Sequence, residues 1–82
     1  MANINWNTQG ENDAENENPR KTTDFPSPEA QNDYNEGFNN KWWEKGNDDA
    51  RNGSPRRTDL PKGDKELVVN YCDGYEDGKF ED

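Results

Sequence analysis

Apolar residues are scarce at the start of this chain and become periodic only from its middle. After Ser27, the positions Ala30, Tyr34, Gly37, Phe38, Lys41, Trp42 and Lys45 recur at intervals of three and four. That spacing marks one face of an α-helix, with the lysine stems able to flank the apolar stripe. Asp33, Glu36, Asn39, Asn40 and Glu44 fall mostly off it. Ser27-Pro28-Glu29 supplies a helix start: Ser as N-cap, Pro where its missing N–H costs nothing, and Glu near the positive end of the helix dipole. Gly46 reads as the C-terminal cap, so a helix is expected over 28–45. A second stripe runs through Leu67, Val68, Tyr71, Cys72, Gly74, Tyr75 and Gly78. With Asp64 as cap and Glu66 in the first turn, it predicts a helix over 64–79, followed by a frayed ending in GKFED.

The segments outside these stripes carry different signals. Residues 46–63 hold Asn52-Gly53, Ser54-Pro55 and Leu60-Pro61, all breakers, and read as a long inter-helix loop. Residues 1–26 have neither a 2 nor a 3.6 period, and their Asn- and Glu-rich run ENDAENENPRK reads as a flexible arm. Trp6 is then either an anchor that orders the arm on a partner or part of a solvated tail.

One phrase occurs twice, Tyr34-Asn-Glu-Gly37-Phe38 and Tyr71-Cys-Asp-Gly74-Tyr75. Glycine inside a helix costs roughly 1 kcal/mol relative to alanine, so its place on each buried stripe calls for a return. Close backbone approach is such a return. The expected fold is therefore all-α: a small helical hairpin over 27–82 whose two helices cross at glycines, or the same pairing across a homodimer, with the arm before it. The alternative is that both glycines end helices and the segments are turns.

Composition changes this picture in two ways. Leu, Ile, Val and Phe make up so little of the chain that, with a net charge of −9, the whole resembles a disordered composition. Three Trp and three Tyr offset this, because each buries a large area. The charge also makes direct nucleic-acid binding a poor expectation, since neutralising phosphates takes Lys and Arg, and 19 acids face 10 bases. A basic host protein, or a complex of one, is the better partner. From Gly63 onward seven acids face two bases, whereas 46–63 is slightly positive through Arg51, Arg56, Arg57 and Lys62.

Most chemical motifs fail on their own terms. Asp48 to Asp59 has calcium-loop phrasing, but Ala50 removes a ligand and two arginines enter the loop. Asn52-Gly53-Ser54 fits a glycosylation acceptor, yet a plain turn explains it. There is no histidine, and Cys72 has no activating base, so neither catalytic residues, nor a metal site, nor a cofactor is expected. Cys72 reads as a small buried residue in a reducing compartment. No membrane-length apolar run and no secretory signal is recognised, and the expected location is cytoplasmic. Trp42-Trp43 is more informative: helix neighbours point about 100° apart, so with Trp42 in the core Trp43 lies at the edge. There it either extends a small core or forms a binding hot spot.

Tyr34-x-x-Gly37-Phe38, Gly46, Ser54-Pro55 and Tyr71-x-x-Gly74-Tyr75-x-x-Gly78 resemble the small bacterial and phage proteins similar to ribosome modulation factor. The resemblance covers roughly 34–78 and implies two glycine-bearing helices joined by a loop. It also implies a ribosome-associated modulator that makes contact through Arg51, Arg56 and Arg57. The matching region is acidic where that family is basic, and Gly53-Ser54-Pro55-Arg56 stands where the family carries Cys-Pro-Tyr.

Three functions follow as expectations. The first is a non-enzymatic acidic inhibitor or adaptor, phage or mobile-element encoded, that docks on a nucleic-acid-handling host protein through Glu36, Trp43, Asp73, Glu76 and Asp77, with Trp6 as a further anchor. The second is the ribosome-associated modulator. The third is a minor structural component of a virion or other assembly, with the arm wrapping a neighbour.

Overall fold

Three helices and no strand make up the described residues, 4–79, of the computed structural model. Helix α1 spans Trp6–Glu15, α2 Pro28–Arg51 and α3 Lys65–Lys79. The fold is thus all-α, with one helix more than expected. The ending GKFED lies mostly outside the described residues, as does Phe80.

The expected arm contains α1. Asn5 caps it, its side-chain oxygen accepting from the Thr8 N–H at 3.1 Å. The residues α1 buries are Gly10 and Ala14, with Trp6 half-buried one turn earlier. A stripe of one tryptophan and two small residues hardly registers as apolar, yet small side chains are what let a helix backbone lie close to its neighbour.

Helix α2 starts as its sequence implies, with Ser27 Oγ accepting from the Ala30 N–H at 3.2 Å. It does not stop at Gly46. That glycine is buried, and a Cβ there would overlap the Tyr71 carbonyl oxygen, so Gly46 serves packing rather than capping. The stop comes at Gly53, whose φ of +75° is the left-handed conformation of a Schellman ending. Gly53 N–H bonds to Ala50 O at 3.1 Å and Ser54 N–H to Asp49 O at 2.8 Å. The loop between α2 and α3 therefore covers 52–64 rather than 46–63. Helix α3 is capped by Asp64, which accepts from the Leu67 N–H at 3.0 Å.

The chain divides into two units, 1–41 and 42–82, with the division inside α2. In the first, α1 packs on the N-terminal half of α2. Ala14, Ala30, Tyr34 and Phe38 are buried, and the rings run Trp6, Phe25, Tyr34, Phe38 with neighbouring centroids 5.4 to 6.0 Å apart. A Cβ on Gly37 would overlap the Asn7 carbonyl oxygen, and one on Gly10 would sit 2.8 Å from Phe38 N. In the second unit, the C-terminal half of α2 packs on α3 over Trp42, Leu60, Leu67 and Tyr71. Here a Cβ on Gly74 would overlap the Trp43 carbonyl oxygen, and one on Gly46 would sit 2.9 Å from Tyr75 N. Gly37 and Gly74 thus belong to separate helix pairs, each with its own glycine partner.

The two units share a spaced set of residues. Trp6, Gly10, Asp13, Ala14, Pro19 and Arg20 recur 36 positions later as Trp42, Gly46, Asp49, Ala50, Pro55 and Arg56. One residue further out of step, Tyr34, Gly37 and Phe38 recur as Tyr71, Gly74 and Tyr75. Even the helix ending is shared. Glu17 stands where Gly53 does, at φ +58°, with Glu17 N–H on Ala14 O at 3.0 Å and Asn18 N–H on Asp13 O at 2.8 Å. The doubled tyrosine phrase is the second half of a longer doubled module.

Candidate interaction faces

Each unit closes around one tyrosine hydroxyl. Tyr34 Oη donates to Asp13 Oδ2 at 2.5 Å and accepts from the Lys21 N–H at 2.9 Å. Tyr71 Oη donates to Asp49 Oδ2 at 2.6 Å and accepts from the Arg57 N–H at 3.1 Å. One hydroxyl thereby ties its own helix to the preceding helix and to the connecting loop. Burial, then the hydrogen bond to the neighbouring carboxylate, pushes both phenols up to about 12. Both therefore stay neutral donors at physiological pH.

In the loops that follow the aspartates, Arg20, Lys21 and Arg57 lie against aromatic rings. Arg20 bonds Asn35 at 3.0 Å and Asn39 at 2.6 Å while lying 4.5 Å over the Phe38 ring. Lys21 sits 5.7 Å over Trp6 and 5.6 Å over Phe25. In the second unit Arg57 lies 5.4 Å over Trp42 and pairs with Asp59 at 3.1 Å. That hydrogen bond and charge hold the Asp59 carboxyl below its usual value. Lys45 also covers Trp42, Lys79 covers Tyr75, and Lys41 pairs with Glu15 at 3.4 Å. A cation over a ring face is attracted by its quadrupole, so much of the positive charge is drawn onto the aromatic cores.

The carboxylates have the opposite disposition. Asp73, Glu76 and Asp77 are all exposed, at i, i+3 and i+4 on α3, away from the buried positions Leu67, Tyr71, Gly74 and Gly78. In the first unit Glu29, Asp33 and Glu36 are exposed at i, i+4 and i+7 on α2. None of Glu36, Asp73, Glu76 and Asp77 is in an ion pair with another described residue.

The remaining expected contacts are placed as follows. Trp42 is 1 % exposed with its indole N–H unpartnered, and Trp43 is half-buried beside it. Trp6 is not on a free arm: it opens α1 and stands edge-on to Phe25. Of the three arginines expected in the loop, Arg51 is instead the last residue of α2 and is exposed, Arg56 is exposed in the loop, and Arg57 is held by Trp42, Asp59 and its own backbone bond to Tyr71. Cys72 is half-buried rather than buried. Asp13 and Asp49, which complete the hydroxyl clasps, escape notice when the tyrosine phrase is read alone. Their signal is the shared Trp-x3-Gly-x2-Asp-Ala spacing.

Among the described residues no group of three His, Cys, Asp or Glu could hold a metal ion, and no helix is long and apolar enough to cross a membrane. No family model matches the chain, and no curated protein or solved structure is significantly similar to it.

Proposed function

We propose that this is a non-enzymatic binding protein that docks an acidic helical face on the basic surface of a nucleic-acid-handling protein and modulates or inhibits it. The observation that carries the reading is the segregation of charge. Arg20, Lys21, Lys45, Arg57 and Lys79 lie over aromatic rings, while Asp73, Glu76 and Asp77 stand together in solvent on one face of α3. These cations are held at the rings rather than paired with the α3 carboxylates, so the face carrying Asp73, Glu76 and Asp77 is locally negative. Such a field steers association with a basic patch and makes it sensitive to salt. Glu36 adds to the field of the first unit, and half-buried Trp43 offers apolar contact in the second.

A ribosome-associated modulator would require Arg51, Arg56 and Arg57 to reach a partner. The ties on Arg57 weigh against that reading. The test is capture of partners from host lysate on the tagged full chain, at low and at moderate salt, with identification by mass spectrometry. A salt-sensitive nucleic-acid-handling protein supports the proposal. Ribosomal proteins in bulk would overturn it in favour of the modulator.

A further inference from the structure

The second unit also carries a surface of the opposite kind. Val68 and Val69 of α3 floor a shallow trough of about 370 Å³, edged by Lys62 and Lys65. An adjoining hollow of about 290 Å³ continues from Lys62 and Val68 to Leu60, Cys72 and Arg56. Val69 is 56 % exposed, in a chain with few large apolar residues to leave in water. Nothing in the fold requires a valine there, since the core side of α3 is filled by Leu67, Tyr71 and the glycines.

The edge of this trough is as distinctive as its floor. Arg56, Lys62 and Lys65 are exposed and, unlike the cations laid over rings, none is in an ion pair or ring contact with another described residue. The most available positive charge of the second unit is therefore gathered around an apolar strip. An occupant must bring carboxylates to the edge and apolar side chains to the floor. The trough is open and shallow, which suits one face of a helix better than an enclosed small molecule.

We propose that this trough docks an acidic segment of another protein whose apolar side chains lie at helical spacing. The trough adjoins the acidic face of α3, because exposed Val69 stands one turn before Asp73 on the same side of the helix. The two surfaces follow each other along α3, the trough toward its N-terminal end for an acidic partner and the carboxylates toward its C-terminal end for a basic one. Because the net charge of −9 and the neighbouring Asp73 repel an acidic segment, binding depends on the local cations and is weak without the apolar contacts.

The probe is a fluorescein-labelled helical peptide with Leu on one face and Glu flanking it, compared with versions carrying Ser for Leu or Lys for Glu. Anisotropy is read against the full chain. The proposal expects the Glu/Leu peptide to bind and to slow modification of the single thiol, Cys72. Val69→Asp and the pair Lys62→Glu and Lys65→Glu should each weaken binding at least tenfold. These positions are exposed, so unchanged thermal melts verify that the variants fold. Charge reversal at Asp73, Glu76 and Asp77 should not weaken this binding, which separates it from failure of the acidic face. Absence of binding, binding unaffected by the trough variants, or equal binding of the Ser version would overturn the proposal. So would self-association abolished by Val69→Asp, which would make a second copy the occupant.

Discussion

Replacing Tyr71 by Phe removes a single oxygen, and its cost follows from the two bonds that oxygen makes. The hydroxyl donates to the Asp49 carboxylate at 2.6 Å and accepts from the Arg57 N–H at 3.1 Å. A hydrogen bond to a charged group contributes about 1.5–3 kcal/mol, and a partly buried donor left unpaired adds about 1 kcal/mol. The expected loss is therefore about 3 kcal/mol. Stability for a chain of this size is roughly 4–12 kcal/mol at about 0.05–0.15 kcal/mol per residue, so the loss is large. Urea unfolding at neutral pH, followed by far-UV circular dichroism, should show the midpoint falling by roughly 2 M for a slope near 1.5 kcal/mol/M. Tyr34→Phe should behave alike, because its hydroxyl makes the same two bonds to Asp13 and Lys21. A loss below about 1 kcal/mol in both variants would refute the claim that these clasps hold the units closed.

Further outcomes follow from the same geometry. Both phenols are raised to about 12 in the folded chain, above the ordinary tyrosine value near 10. Their stabilisation is therefore complete below pH ~10 and lost as pH climbs toward ~12, and the double Phe variant should lose this part of the alkaline decline in a pH series of melts. Gly37→Ala and Gly74→Ala would gain about 1 kcal/mol from helix propensity alone. Because the added methyl overlaps a backbone carbonyl, each should instead destabilise by at least about 2 kcal/mol in the same unfolding assay. Glu17→Gly should stabilise by about 1 kcal/mol, since a non-glycine residue held at φ +58° is strained and Gly53 already fills the equivalent place; a lower melting temperature would contradict this.

Legibility differed along the chain for physical reasons. Helix starts at Ser27 and Asp64 were readable because capping is local chemistry, one side-chain oxygen meeting an N–H three residues on. The buried stripe of Ala30, Tyr34, Phe38 and Trp42 was readable because large rings at helical spacing have few other uses. Helix α1 was not, since its packing face is Trp6, Gly10 and Ala14 within an acidic, Asn-rich run. Composition argued for disorder there, and only alignment of 6–20 with 42–56 exposes the second copy of the module. Gly46 misled for a related reason: a glycine near the end of an apolar stripe looks the same whether it caps a helix or admits a neighbouring backbone. The exposed acids of α3 were readable as surface, whereas the inward turn of Arg57 depends on contacts to Trp42 and Tyr71 that sequence spacing does not announce.

The most direct test of the central claim is capture from host lysate by the chain and by the triple variant Asp73→Lys, Glu76→Lys, Asp77→Lys, at matched low salt. All three positions are exposed, so the variant should melt like the parent. The account predicts that the salt-sensitive partner held by the parent is lost by the variant. Equal capture by a folded variant would contradict it, and would show that the acidic face of α3 is not the docking surface.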